Sequence, residues 1–259
     1  MISVDLTQLY GWINAFLWPF VRLLAFIGAV PLLGESAIPN RAKVGLAAFI
    51  AIVIAPTLPP MPAISPASYE GLFILLQQVV IGILLGLVMR VVFAAVQTAG
   101  EFIGLQMGLS FASFFDPATG ANTAVLSRLM NMIAMLLFIA FNGHLLMLAG
   151  FIRSFDILPI SNEGINLNGL PVLFEWSAQV MIAGMLLALP LIIVLLTISL
   201  ALGILNRTAQ QLSVFAVGFP ISLSVGLILL WVVLPQTSPF LRRLFDEGFS
   251  AMGRLMGAL

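Results

Sequence analysis

Cysteine is absent from this 259-residue chain, histidine occurs once, and only 8% of the residues are charged. Each scarcity excludes something. Without cysteine there is no disulfide framework and no thiolate nucleophile. With a single histidine and no cysteine, a metal site is not expected. Ten Lys+Arg balance ten Asp+Glu, so there is no net positive charge with which to hold a nucleic acid. Soluble domains carry about 25% charged residues, far more than are available here to cover a core. A soluble enzyme, a nucleic-acid binder and a disulfide-stapled secreted domain are thereby excluded. What is present in excess is apolar: 61% of the residues are hydrophobic. The bilayer is the expected solvent.

A helix crossing the roughly 30 Å hydrocarbon core needs about 20 apolar residues. Six runs approach that length: Tyr10–Leu33, Val44–Leu58, Leu72–Ala95, Leu129–Ile152, Trp176–Leu205 and Val214–Leu234. Their continuous apolar content predicts helices, since a barrel would need short alternating strands. The fold class expected is therefore all-α and membrane-associated. The absence of Lys or Arg before the first run, and that run's length, argue against a cleaved signal peptide. Not every run reads as a simple span. Val44–Leu58 is short and ends in Pro56, Pro59, Pro60 and Pro62, which stop a helix. Trp176–Leu205 carries Pro190, and Val214–Leu234 carries Gly218 and Pro220, so bent or broken helices are predicted there.

Charge supplies an orientation. Arg41 and Lys43 lie in the first connection, Arg90 and Arg128 bound the third, and Arg207 lies in the fifth. The positive-inside rule places these connections in the cytoplasm and the N-terminus outside. Six crossings would then put the tail outside, although it carries Arg242, Arg243 and Arg254. One segment that is not a full crossing removes the conflict, and Val44–Leu58 is the expected one. The tail itself, Ser238–Leu259, alternates apolar and charged positions at helical spacing. It predicts an amphipathic helix lying on a membrane surface or docked on a partner.

Three internal features stand out. Gly82 and Gly86, then Gly100, Gly104 and Gly108, recur every four residues, a spacing that lets helix backbones approach closely. On a helix from Leu72 to about Leu109, Arg90 and Glu101 point within about 20° of each other but too far apart to bond. Next, the segment Phe111-Ala-Ser-Phe114-Phe115-Asp116-Pro117-Ala-Thr-Gly120-Ala-Asn122 sets aromatics on turn chemistry. It reads either as a core turn with buried rings or as a plug occluding a pore. Finally, Arg22 and His144 sit inside apolar runs, where ionisable groups need partners. A structural polar contact is expected for both. For Arg22 the partners considered are a carboxylate such as Glu101 or the backbone of another subunit. Gly-x-Ser-x-Gly, Walker and HExxH patterns are absent, and His144 is the only imidazole base, so no catalytic residue and no cofactor are expected.

Several ordered stretches carry a resemblance. They are Arg22 with Pro31-Leu-Leu-Gly34 and Pro39; Gly100 to Gly108 running through Met107-Gly-Leu-Ser-Phe111 to Asp116-Pro117 and Gly120; Phe141-Asn-Gly-His144 with Ser154-Phe155 and Leu158-Pro159; and Asn206-Arg207-Thr-Ala-Gln-Gln-Leu212 with Val217-Gly-Phe-Pro220 and Val225-Gly226. In these the chain resembles, over essentially its whole length, the FliR family of flagellar biosynthetic proteins, equivalent to the T-type subunits of virulence type III secretion export gates. It departs from the family pattern at Gln210, where a proline is expected, and at Leu145, where a second histidine often stands. The second departure weakens any proton-relay role for the His144 region.

The resemblance implies a single integral membrane domain of bent hairpins. Residues 1 to about 160 would be FliP-like, about 161–235 FliQ-like, and 236–259 the amphipathic tail. It implies a hetero-oligomer of one such subunit with several FliP and FliQ copies in the bacterial inner membrane, within the flagellar basal body. FlhB and FlhA would face the tail and cytoplasmic loops, and unfolded flagellar proteins would be the cargo. The Phe-rich loop would be the plug. The alternative class is a polytopic secondary transporter with broken helices. Between Glu175 and Arg242 only Arg207 is charged, which leaves little for ion coupling and favours the gate.

Overall fold

The computed structural model describes residues 6–59, 61–62, 64–109, 125–208 and 214–259. Those residues are all-helical outside their connections. The helices are α1 Leu6–Ala29, α2 Asn40–Ile54 with a 3-10 turn Ala55–Thr57, α3 Tyr69–Gln106, α4 Val125–Ala140, α5 Gly143–Ile157, α6 Leu170–Thr208 and α7 Val214–Ala258. Five helices are long and apolar enough to cross a membrane, and the bent pair α4–α5 raises the number to six.

The breaks do not fall at the prolines that suggested them. α6 continues through Pro190, and α7 continues through Pro220, Pro235 and Pro239. A proline costs a helix one hydrogen bond, whereas a full break in apolar surroundings strands several backbone groups. Continuity is the smaller penalty. The fourth run breaks instead, at Asn142, which holds φ 57° and ψ 24°. Asparagine tolerates this left-handed region, and the turn it makes starts α5 as its N-cap. Its carbonyl takes the amides of Leu145 and Leu146 at 3.0 and 3.2 Å. α2 ends as its prolines require, with Thr57 Oγ1 donating to the Ile54 carbonyl at 2.7 Å.

The chain divides into two compact units. Unit 1 comprises Met1–Val91, Asn142–Ser177 and Asp246–Leu259. Its core takes a stripe of α1 at four-residue spacing (Trp18, Arg22, Phe26), the first half of α3 and the aromatic face of α5. Phe26 stacks on Phe151 at 4.6 Å, and Phe151 meets Phe155 edge-on at 5.4 Å. Trp176, buried at the start of α6, donates Nε1–H to the Val88 carbonyl of α3 at 2.9 Å. Unit 2 comprises Val92–Phe141 and Ala178–Phe245. Its core is more uniformly apolar and centres on Phe93, Phe138 and Phe245, with ring centroids 5.1–5.8 Å apart. Each such ring contributes about 2–3 kcal/mol of apolar burial.

The amphipathic tail is the last part of α7. Its apolar stripe is buried within the chain itself. Leu241, Leu244 and Phe245 are buried in unit 2, and Ala251, Met252, Leu255 and Met256 in unit 1. The Met252 side chain fills the space over Gly150, which any side chain there would contest. Arg242, Arg243, Asp246, Glu247 and Arg254 form the outer face.

The Asn142 turn gives a direct test. Asn142→Gly is expected to leave stability within about 0.5 kcal/mol of the parent. Asn142→Val, β-branched at positive φ, is expected to cost about 1–2 kcal/mol. Thermal unfolding in detergent reads both.

Candidate functional site

The most demanding group in the fold is Arg22, which is fully buried in α1. Taking a guanidinium out of water costs several kcal/mol unless its N–H groups find acceptors. Here four hydrogen bonds do so. Nε donates to Gln78 Oε1 of α3 at 2.7 Å. One terminal nitrogen donates to the Ser154 carbonyl and hydroxyl at 3.1 and 3.2 Å, and the other to the Leu158 carbonyl at 2.9 Å. The guanidinium carbon also lies 4.2 Å from the Phe155 ring centre.

None of these partners is a carboxylate, so neither Glu101 nor another subunit is what holds Arg22. The counter-charge is the C-terminus of α5. Ser154 and Leu158 supply carbonyls of its last turn and cap, where the helix dipole presents roughly half a negative charge. α5 carries no basic residue in that last turn, and α1 provides one instead. A single side chain therefore joins α1, α3 and α5.

Asn14, two turns earlier on the same face, does the same for the connection before α3. Its amide nitrogen donates to the Pro62 and Ile64 carbonyls at 2.9 and 2.7 Å. Gln77, beside Gln78, reaches the Glu163 carbonyl. Sequence reasoning singled out Arg22 and passed over Asn14, Gln77 and Gln78. The signal was available, since an amide at helical spacing from an intramembrane charge is a natural partner.

The remaining ionisable residues are not gathered with Arg22. Arg90 and Glu101 are exposed on α3, and Arg207 is exposed near the end of α6. His144 is half-buried at the start of α5, and its Nδ1 has no hydrogen-bond partner among the described residues. Among the described residues no group of three or more His, Asp or Glu side chains could hold a metal ion. Phe111, Phe114, Phe115, Asp116, Pro117, Gly120 and Asn122 lie outside the described residues.

The glycine repeat divides into three roles. In unit 1, Gly82 faces the Arg22 carbonyl, Ala25 and Phe26, and Gly86 faces Ala29 and Val30. Both are the close approach of α3 to α1. In unit 2, a side chain at Gly100 would meet Ser127 and Leu126 of α4 at 2.6–2.9 Å. The Ser127 hydroxyl bonds the Gln97 carbonyl at 2.9 Å across the same contact. Gly104 has room for a methyl group, its nearest neighbour atoms being 3.7 and 3.9 Å away. Gly108, at φ 81°, follows α3 in the left-handed conformation that ends helices.

Two outcomes follow from this geometry. Arg22→Lys, with three donors on one point, cannot serve all three helices and is expected to lose about 2–4 kcal/mol of stability. Gly82→Ala is expected to cost about 1–3 kcal/mol by overpacking, whereas Gly104→Ala stays neutral or gains up to about 1 kcal/mol of helix propensity. Unfolding temperatures of the purified variants, set against the parent, check both.

The family described as bacterial export proteins, family 1, matches residues 13–248. The flagellar biosynthetic protein FliR of Escherichia coli strain K12 is 46% identical over 259 residues, covering 100% of this chain and 99% of that protein. FliR of Pectobacterium carotovorum is 46% identical with the same coverage. FliR of Bacillus subtilis is 32% identical over 246 residues, covering 93% of this chain and 94% of that one. On a family match across most of its length and relatives aligned from end to end, the chain belongs to the FliR family of bacterial export proteins, family 1.

Proposed function

We propose that the chain is a non-enzymatic core subunit of the flagellar type III secretion export gate. With FliP and FliQ it would form the channel through which unfolded flagellar proteins cross the bacterial inner membrane at the basal body. The observation that carries this reading is the end-to-end similarity to FliR at 46% identity. In it, residues 1 to about 160 act as the FliP-like part, about 161–235 as the FliQ-like part, and 236–259 as the tail. Phe111, Phe114 and Phe115 form the plug, and FlhB and FlhA are met at the cytoplasmic side.

Burial supports a subunit role. The apolar windows of α6 and α7 are only 22% and 11% buried in the chain alone, against 61% for α3. Ile182, Leu186, Ile193, Leu200, Ile228 and Trp231 are among the large apolar side chains left exposed. Faces of this size fit partner helices as well as lipid. The polar interior argues against a solute carrier, because all four Arg22 hydrogen bonds end on the chain's own groups.

An affinity-tagged copy co-expressed with FliP and FliQ is expected to elute with both as one complex in mild detergent. A stable monomer that leaves FliP and FliQ behind and moves a small solute into vesicles would replace the gate with a secondary transporter.

A further inference from the structure

Two polar atoms in the core of unit 1 stand one helical turn apart without partners among the described residues. They are Asn14 Oδ1 and Trp18 Nε1. Both residues are fully buried in the chain, so neither lipid nor another subunit reaches them. The orientation of the Asn14 amide is fixed. Its nitrogen already donates to two carbonyls, those of Pro62 and Ile64, so the atom left over is an acceptor. The atom left over on Trp18 is a donor only. At four-residue spacing the two side chains share a face of α1. A third group belongs to the same turn. Pro19 has no N–H, so the Ala15 carbonyl lacks its usual helical donor.

One donor and two acceptors within one turn of α1, the donor and one acceptor on fully buried side chains, have one small complement. We propose that a water molecule is bound there as a fixed part of the fold, accepting from Trp18 Nε1–H and donating to Asn14 Oδ1 and the Ala15 carbonyl. Each of the three groups then has a partner, and three partners are typical for buried water. Prolines in apolar helices are tolerated where ordered water re-satisfies the freed carbonyl. The water also extends the polar ladder of α1 from Arg22 through Trp18 to Asn14. This inference is independent of the export role.

The test is fluorine NMR of the full chain labelled with 5-fluorotryptophan, compared in H2O and D2O. The Trp18 resonance is assigned by its loss in Trp18→Phe. Trp176 is the internal control, being buried with its Nε1–H on a protein carbonyl. A solvent isotope shift at Trp18, clearly larger than at Trp176 and lost in Asn14→Leu, is the expected result. A Trp18 resonance as insensitive to D2O as that of Trp176 overturns the proposal. So does an isotope shift that persists unchanged in a folded Asn14→Leu variant. The parent measurement decides the question even where that variant fails to fold.

Discussion

A guanidinium held away from water constrains everything that touches it. Arg22 accepts no arrangement of unit 1 in which Gln78, Ser154 and Leu158 are not simultaneously within reach. These residues belong to α3 and to the C-terminal end of α5, so the charge fixes the separation and stagger of three helices together. The glycines make the geometry attainable. Gln78, Gly82 and Gly86 share one face of α3 at four-residue intervals. Gly82 rests on the backbone carbonyl of Arg22 itself, and Gly86 on Ala29 and Val30. A side chain at Gly82 would hold α3 away from α1 and draw Gln78 back from Nε. The close approach and the hydrogen bond are therefore one feature, and neither survives without the other.

The α5 terminus completes the compensation. A carboxylate partner would cancel the charge outright, but it would itself have to be desolvated. Carbonyls at a helix end are already ordered by the helix, so placing them against Arg22 adds little further cost. α5, which starts at the Asn142 turn, offers that C-terminus at Leu158.

This also shows what could be read from the amino-acid order. Apolar run length is a bulk property, so five or six membrane-span helices and the all-α class were evident from it. The four-residue spacing of Gly82, Gly86, Gly100, Gly104 and Gly108 was legible, since it needs only a helical period, but which of them a neighbouring helix approaches was not. Where a helix breaks was not evident. Proline lowers the stability of a helix, but apolar surroundings raise the penalty of breaking it further, and at Pro190 and Pro220 the surroundings prevail. Asn142 carries no such loud signal and still turns. Partners were the other blind point. Charge suggested a carboxylate for Arg22, whereas the fold answers with neutral acceptors more than 50 residues away in sequence. The tail misleads for a related reason. Its period was plain, but nothing in it said that Gly150 and its neighbours would cover the apolar stripe.

The distribution of burial bears on how such a chain takes part in an assembly. In unit 1 Arg22, Gln77 and Gln78 turn inward and bond groups of the chain itself, so the most demanding charge is settled within the chain. α6 and α7 show the reverse. Their apolar windows are mostly uncovered, and between Glu175 and Arg242 Arg207 is their only charge. A surface of this kind gains nothing from water and little from selective ion binding. It gains from packing against further apolar helices, where dispersion and small-residue contacts decide the fit. The composition that first said "bilayer" is thus divided unevenly: one part of the apolar content builds the interior, and the larger exposed part in α6 and α7 is surface reserved for what surrounds the chain.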